Sequence, residues 1–170
     1  MDWEGEAGSP VRVGILSDTH GMLRPEVLDV FAGVDRILHA GDVGDPAILA
    51  GLAALAPLTA VYGNVDGGLL RRRLPRVAEL KVDGFVFVVT HGDQFGSPEP
   101  KTLRAAFPHA DVIVYGHTHR PLIHGFEDYS VAVNPGPAGP ARSGGTPSVA
   151  ILDTEPGSPL RARIVPLKAA

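Results

Sequence analysis

The chain of 170 residues contains no cysteine. This absence excludes disulfide bonds, cysteine-ligated zinc, iron–sulfur clusters and a thiol nucleophile. Any metal site in this protein must therefore be built from His, Asp, Glu, Asn or backbone oxygen atoms.

The sequence also has no excess of basic residues, since its net charge is −4. Non-specific nucleic-acid binding usually needs a basic face, so the charge argues against nucleic acid as a partner. A phosphorylated substrate held by metal ions is compatible with this charge. The first six residues are acidic where a secretory signal peptide would be basic. Residues 46–65 carry no charge, but they are rich in Ala and Gly and include Pro57. They therefore predict a helix followed by a strand rather than a membrane span, and we expect a cytoplasmic protein.

Apolar residues make up 44% of the chain, which is enough for one well-formed core. We expect a flexible tail over residues 1–10 and a single domain over residues 11–170. Apolar runs alternate with helical patterns in the first half, and short strands follow one another in the second half. The pattern predicts an α/β fold with two mixed sheets and helices outside them. Strands are expected at 11–16, 36–40, 58–62, 77–82, 85–90, 112–115, 122–126, 130–133, 148–153 and 161–166, and helices at 25–31, 46–56 and 100–107. Asp83-Gly84 predicts a two-residue hairpin turn.

Polar segments follow five of the predicted strands at the point where each strand ends. Because the carboxyl ends of strands form the ligand crevice of an open α/β sheet, we expect these segments to converge in space. They are residues 17–21 (SDTHG), 39–42 (HAGD), 62–66 (YGNVD), 91–93 (HGD) and 116–119 (GHTH).

These segments offer seven side chains that can bind metal, which is too many for one zinc ion. The number suits two ions about 3.5–4 Å apart that share a bridging carboxylate. Only two of the seven are anionic, so a site with two divalent ions would remain positive and attract phosphate. The mixture of oxygen and imidazole favours two divalent metal ions, Mn²⁺ first, with Fe, Zn²⁺ or Ni²⁺ as alternatives. The seven are Asp18, His20, Asp42, Asn64, His91, His117 and His119.

In this order, the motifs Asp-X-His, Gly-Asp, Gly-Asn, His-Gly and Gly-His-Thr-His resemble the calcineurin-like metallophosphoesterases. The sequence is most similar to their small bacterial and archaeal phosphodiesterase branch, which also includes the metal-free retromer scaffold subunit. The resemblance extends from about residue 11 to residue 153. It implies a four-layer α/β sandwich with the metals at the strand ends.

The resemblance also implies roles for the matching residues. Asp18, His20 and His119 would hold the first ion, Asn64, His91 and His117 the second, and Asp42 would bridge them. A hydroxide bridging the two ions would attack phosphorus in line. Asp42, Asn64 and His117 would then act catalytically through the metal centre.

Val65 departs from the wider superfamily, which often has a histidine at this position. That histidine contacts the substrate and can protonate the leaving group, an effect worth roughly 10²–10⁴-fold in rate. Its absence favours diesters with a good leaving group, or a substrate whose own chemistry supplies the proton. The phosphodiesterase branch commonly lacks this histidine too.

Three further residues are predicted to support the metal ligands, and each has a purely structural alternative. His39 precedes Gly41-Asp42 and can be either a support or a satisfied structural histidine. Asp66 can support the site or cap its loop, and Asn134 can tie a loop beneath the site or form an Asx turn. Residues 71–73, all arginine, can form a solvated face or flank an anionic substrate.

The leading hypothesis is therefore a dinuclear metal-dependent phosphodiesterase acting on a small phosphodiester or phosphorylated substrate. A metal-dependent phosphomonoesterase would use the same site. A non-catalytic protein-binding scaffold of the same fold is the alternative from another class, although such a scaffold lacks several of the ligands present here. A nuclease is a further alternative that the acidic charge disfavours. A homo-oligomer is our working hypothesis for the assembly.

Overall fold

A computed structural model describes residues 10–141 and 145–167 of the protein. The tail predicted over residues 1–10 therefore lies outside the described residues, except for Pro10. Ten strands and four α-helices account for about half of the described chain. The strands are β1 (Val11–Leu16), β2 (Arg36–His39), β3 (Leu58–Ala60), β4 (Val77–Val82), β5 (Phe85–Thr90), β6 (Val112–Val114), β7 (Leu122–Gly125), β8 (Val131–Asn134), β9 (Ser148–Thr154) and β10 (Arg161–Pro166). The helices are α1 (Pro25–Val30), α2 (Pro46–Ala53), α3 (Gly68–Arg73) and α4 (Pro100–Ala106), and a short 3₁₀ turn covers Asp93–Phe95.

The first sheet has the strand order β10-β9-β1-β2-β3. Strands β1, β2 and β3 are parallel, so their carboxyl ends lie at the same edge. Strand β9 is antiparallel to β1, and β10 is antiparallel to β9. The last two strands of the chain thus return to the sheet that the first strand began.

The second sheet has the order β4-β5-β6-β8-β7. Strands β5, β6 and β8 are parallel, while β4 and β7 pair antiparallel at the two sides. The hairpin predicted at Asp83-Gly84 joins β4 to β5, and both turn residues have positive φ, 52° and 82°. The prediction of two mixed sheets is confirmed.

Alternating side chains along each central strand explain how the layers pack. In β2, Ile37 packs in the cluster beneath the helices while Leu38 packs between the two sheets. This separation follows from the twofold period of a strand, which points successive side chains to opposite faces. Val27 and Leu52 cover the outer face of the first sheet, and Leu103 covers that of the second. The four layers are therefore helix, sheet, sheet and helix, as predicted.

Helix α3 was not predicted from the sequence. Two glycines open it and three consecutive arginines close it, so it has no apolar periodicity apart from the buried Leu70. Helix α2 begins as predicted, with the Asp45 side chain accepting a hydrogen bond from Ala47 N at 2.9 Å, but it ends at Ala53 instead of residue 56. Within the described part of the chain, no helix has the length and apolar character needed to cross a membrane.

Candidate metal centre

The five polar segments all lie where the sheets place their carboxyl ends. Three follow β1, β2 and β3 of the first sheet, and two follow β5 and β6 of the second. The two sheets face each other across a shared apolar core, which brings these edges together. The structure thereby gathers all seven predicted ligand side chains, from positions up to 101 residues apart in the chain.

Asp18, His20 and His119 form the first group of potential ligands. The Nε2 atom of His119 lies 3.1 Å from Asp18 Oδ1, and the Nε2 atom of His20 lies 3.6 Å from the same oxygen. The two imidazole Nε2 atoms are 3.3 Å apart. One carboxylate oxygen and two imidazole nitrogens are thus close enough together to bind a single ion.

Asn64, His91 and His117 form the second group. The Oδ1 atom of Asn64 lies 3.0 Å from His91 Nε2 and 3.2 Å from His117 Nδ1. The other ring nitrogen of His91, Nδ1, lies 2.8 Å from the carbonyl oxygen of Ala40. Since a carbonyl can only accept, Nδ1 carries the hydrogen, and Nε2 is free to offer its lone pair to a metal.

Asp42 lies between the two groups. Its Oδ2 atom is 3.7 Å from His20 Nε2 and 3.2 Å from His91 Nε2. Its Oδ1 atom accepts a hydrogen bond from Val65 N at 3.0 Å, which fixes the orientation of the carboxylate. One carboxylate oxygen is therefore within reach of both groups.

Asp18 provides the test of whether these residues suit a metal ion. Its Oδ2 atom accepts hydrogen bonds from the Ser17 hydroxyl at 2.6 Å and from His117 N at 3.3 Å. Its Oδ1 atom is buried and forms no hydrogen bond with any other described residue, although three histidine Nε2 atoms lie within 4.0 Å of it. A buried carboxylate oxygen without a hydrogen bond is costly unless a cation satisfies it.

The distances between the donor atoms are also compatible with a bound metal ion. Ligand atoms held about 2.0–2.2 Å from a metal, at tetrahedral or octahedral angles, are roughly 2.9–3.6 Å from one another. The distances of 3.0–3.7 Å within the two groups and to Asp42 lie close to this range. The spacing of these donor atoms therefore suits divalent metal ions.

Burial and the facing charges have opposing effects on the pKa values of this cluster. Burial alone would raise the pKa of Asp18, but the imidazoles of His119, His20 and His91, with the Ser17 hydroxyl, hold it well below its usual range. Burial alone would lower the pKa of His91, but the carboxylates of Asp42 and Asp18 and the Ala40 carbonyl raise it. The carboxylates are therefore ionised and ready to bind a cation at neutral pH.

The backbone of the site is strained at its ligands. Five of the seven candidate ligands have positive φ angles, between 47° and 72°, in the left-handed region that non-glycine residues seldom adopt. Each such residue costs of order 1–3 kcal/mol unless the surroundings compensate, and this kind of strain concentrates at functional sites. The five are Asp18, His20, Asp42, His117 and His119.

Two glycines of the motifs permit the close approach of the loops. A Cβ atom on Gly63 would lie 2.1 Å from Asp42 Oδ1, and one on Gly116 would lie 2.1 Å from the Ser17 hydroxyl oxygen and 2.7 Å from Asp18 Oδ2. Any side chain at either position would push a carboxylate out of place. This explains in physical terms why Gly precedes Asn64 and His117.

Asp66 holds the two loops of the first sheet together. Its carboxylate accepts hydrogen bonds from the backbone N–H groups of Val43 at 3.1 Å, Gly44 at 2.9 Å and Gly63 at 2.9 Å. Of the two roles left open by the sequence, the geometry favours support, because these bonds fix the loop that follows Asp42 to the loop that carries Asn64.

His39 is fully buried and occupies both ring nitrogens with neighbours. Its Nδ1 atom accepts from Gly41 N at 3.1 Å, which leaves Nε2 to donate to the Thr19 hydroxyl oxygen at 3.0 Å. Burial lowers the pKa of His39 to about 4, so the ring is neutral at physiological pH. His39 thus links the segments that carry Asp18 and Asp42 without facing the ligand atoms itself.

Asn134 combines both roles considered from the sequence. Its side-chain amide donates to Gly116 O at 3.2 Å and to the Thr118 hydroxyl oxygen at 3.0 Å, beneath the segment that carries His117. Its Oδ1 atom accepts from Gly136 N at 3.0 Å, which closes an Asx turn.

Arg71 and Ser17 are support residues that the sequence did not assign. The Nε atom of Arg71 donates to Asp66 O at 2.6 Å, and its guanidinium lies over the Tyr62 ring at 4.9 Å. Arg71 is exposed, as a solvated face predicts, but these contacts also fix its side chain against the loop of Asn64. The only sequence signal for Arg71 was its position shortly after that loop, and such a position does not by itself indicate a supporting role.

Most of the chain matches one known protein family. Residues 11–157 match the model of the calcineurin-like phosphoesterase superfamily domain. The chain belongs to this superfamily. A probable metallophosphoesterase of Methanothermobacter thermautotrophicus is 38% identical over 163 residues, which covers 90% of this chain and 91% of that protein. The family implies divalent metal ions, and the structure brings together two sets of carboxylates and histidines that could hold one: Asp18 with His20 and His119, and Asp18 with Asp42 and His91.

Solved structures of the same fold include an enzyme of this phosphoesterase superfamily and other proteins. A solved archaeal phosphodiesterase has a TM-score of 0.75 and 27% identity, covering 92% of this chain and all of that chain. Vacuolar Protein Sorting 29 from Cryptosporidium parvum has a TM-score of 0.77 at 17% identity, covering 94% and 99%, and this likeness shows the fold alone. Family and phosphodiesterase homologue together support a phosphoesterase hydrolase.

Proposed function

We propose that this phosphoesterase is a dinuclear, metal-dependent phosphodiesterase that hydrolyses a small phosphodiester. The observation that carries the proposal is the position of Asp42 Oδ2, within 3.7 Å of His20 in the first ligand group and 3.2 Å of His91 in the second. A single carboxylate oxygen between two sets of donors is what a pair of neighbouring ions requires.

The charge of the site supports a phosphate ester as the substrate. Two divalent ions, when bound, would supply the positive charge that stabilises phosphoryl oxygens and lowers the pKa of a water molecule. The protein contributes only two carboxylates, Asp18 and Asp42, against that charge, and its remaining ligands are neutral. With two ions bound, the site would therefore keep a net positive charge that attracts an anionic ester.

The side chain of Val65 supports a diester over a monoester. Val65 is 53% exposed beside Asn64 and has no proton to give to a departing alkoxide. Diesters with good leaving groups need such a proton least. The archaeal phosphodiesterase with 27% identity is consistent with this preference.

Manganese is the proposed native ion, because a mixed set of oxygen and imidazole ligands without sulfur suits it. We further propose that the enzyme works in the cytoplasm as a homo-oligomer. Its charge of −4 disfavours nucleic acid as the substrate without excluding it.

The test is to strip the protein with a chelator, add back Mn²⁺ and count the bound ions by elemental analysis. Initial rates are then compared on bis(p-nitrophenyl) phosphate and p-nitrophenyl phosphate, which share a leaving group. We expect two ions per chain and a kcat/KM at least ten-fold higher on the diester. A preference for the monoester would indicate a phosphomonoesterase. Failure to cleave either ester with two ions bound would favour the non-catalytic scaffold.

A further inference from the structure

A cleft of about 400 Å³ opens directly beside the second ligand group. His117, which reaches Asn64 on one side, forms part of its wall. The other walls come from residues 96–100, before and at the start of α4, and from the segment that joins β6 to β7. A phosphate ester bound at the metal centre would therefore have this cleft next to it.

Tyr115 gives the cleft a polar group that the fold does not use. The residue is 2% exposed, lines the cleft, and its hydroxyl makes no hydrogen bond with another described residue. Among the described residues, this hydroxyl is not one of the fully buried polar atoms without partners, so it keeps some exposure. A phenol is protonated near neutral pH and can donate to a ligand.

The remaining walls combine apolar and polar side chains, with charged groups at the rim. Pro98, Pro100 and Leu122 supply apolar surface, while Arg120 and Glu99 are exposed at the edge. Pockets for small organic groups typically measure about 300–1,000 Å³ and pair apolar surface with a few polar groups that fix the ligand's orientation. A phosphate or a methyl ester would leave most of the volume and the Tyr115 hydroxyl unused.

We propose that this cleft binds an organic ester group of the substrate that has the size of a nucleoside, apolar faces and a hydrogen-bond acceptor. The Tyr115 hydroxyl donates to that acceptor and is a specificity-determining residue. This inference rests on the proposed phosphodiesterase function and adds the substrate class to it.

The test uses two diesters with the same leaving group, thymidine 5′-(p-nitrophenyl) phosphate and methyl p-nitrophenyl phosphate, with the Mn²⁺-loaded protein. Leu122→Trp fills the cleft, and Leu55→Trp is the matched control because Leu55 is similarly exposed, 39% against 41%, and lies outside the cleft. Tyr115→Phe removes only the hydroxyl from a buried ring.

We expect Leu122→Trp to lower kcat/KM on the thymidine diester at least ten-fold and on the methyl diester less than two-fold. We expect Tyr115→Phe to lower the ratio of the two kcat/KM values about five-fold, the typical effect of one hydrogen bond. Leu55→Trp should change neither. A parallel fall on both diesters, or no change on either, would overturn the proposal.

A binding measurement separates failure of this inference from failure of the proposed function. Calorimetry with thymidine 5′-phosphate and methyl phosphate reports on the cleft whether or not the wild-type protein cleaves either diester. Weaker binding of thymidine 5′-phosphate alone in Leu122→Trp supports the cleft as the site of the organic group. Equal binding of the two phosphates by the wild-type protein contradicts it.

Discussion

The two sheets contribute different chemistry to the metal centre. Loops of the first sheet supply both carboxylates together with His20 and Asn64, whereas loops of the second sheet supply only imidazoles, from His91, His117 and His119. Between the loops of the two sheets, Asp18 Oδ1 lies 3.1 Å from His119 Nε2, and Asp42 Oδ2 lies 3.2 Å from His91 Nε2. Neither sheet alone holds a complete ligand group, so the site exists only when the two sheets pack together.

Two buried histidines illustrate the same contrast. His39 lies behind the carboxylates of the first sheet, and burial lowers its pKa to about 4. For His91, on the second sheet, the pKa is raised because Asp42 and Asp18 outweigh its burial. The position of an imidazole relative to the carboxylates thus decides whether it is a neutral structural group or a site where a proton competes with a metal.

The largest effect is expected from removing the carboxylate between the two groups. Asp42→Asn keeps the shape of the side chain but loses its charge, so we expect kcat on bis(p-nitrophenyl) phosphate to fall by about 10³-fold or more at saturating Mn²⁺. Asp45→Asn, at the start of α2, is the matched control and should change kcat less than two-fold. A substantial rate in metal-saturated Asp42→Asn would contradict the two-metal proposal.

A change on the second sheet should be less severe. His91→Gln removes one imidazole of the second ligand group and leaves the Asp18, His20 and His119 group intact. We expect elemental analysis to find close to one ion per chain and kcat/KM to fall by about 10²-fold. The control is His124→Gln, an exposed histidine on β7. Retention of two tightly bound ions in His91→Gln would show that the groups are not divided as we propose.

The third prediction concerns stability instead of activity and tests the neutral histidine of the first sheet. In the unfolded chain His39 binds a proton below about pH 6.5, but in the folded protein it does so only below about pH 4. The free energy of unfolding therefore decreases as the pH drops from 6.5 to 4. His39→Asn retains an acceptor for Gly41 N but does not titrate. In metal-free protein, the free energy of unfolding should decrease between pH 6 and pH 4.5 in both proteins. We expect the decrease in His39→Asn to be smaller than that in the wild type by roughly 1 kcal/mol per pH unit. Urea unfolding at several pH values measures this, and equal slopes would contradict the assignment.

The smallest effect is expected where an imidazole is added to the first sheet. Val65→His places a proton donor beside Asn64, so hydrolysis of diesters with poor alkoxide leaving groups should rise, by about ten-fold, relative to hydrolysis of aryl diesters. Rates on a series of diesters with leaving groups of increasing pKa measure the change. Val65→Gln, which has no acidic proton, is the control. An unchanged slope in Val65→His would refute the argument from the leaving group.

Sequence reasoning predicted the two mixed sheets and most of their strands, but it missed part of the fold. The ten strands were located because apolar runs bounded by turn residues are a local signal, and the Asp83-Gly84 turn is a strong one. Helix α3 was missed because its glycines and arginines give no periodic apolar face. The return of β9 and β10 to the first sheet was also missed. Strand β9 pairs with β1 through residues that are distant in the chain, such as Leu152 opposite Val13, and no local pattern indicates such a pairing.

The sequence by itself determined the chemistry available to this protein: five short polar motifs without cysteine, each at the end of an apolar strand, and a valine where a proton donor often occurs. These are properties of neighbouring residues, and local spacing is enough to recognise them. Only the tertiary structure decided that one oxygen of Asp42 lies between the two ligand groups, that Asp66 joins two loops, and that a cleft with an unused Tyr115 hydroxyl opens beside His117. These features depend on how two sheets pack face to face, and packing is set by long-range contacts that no local pattern encodes.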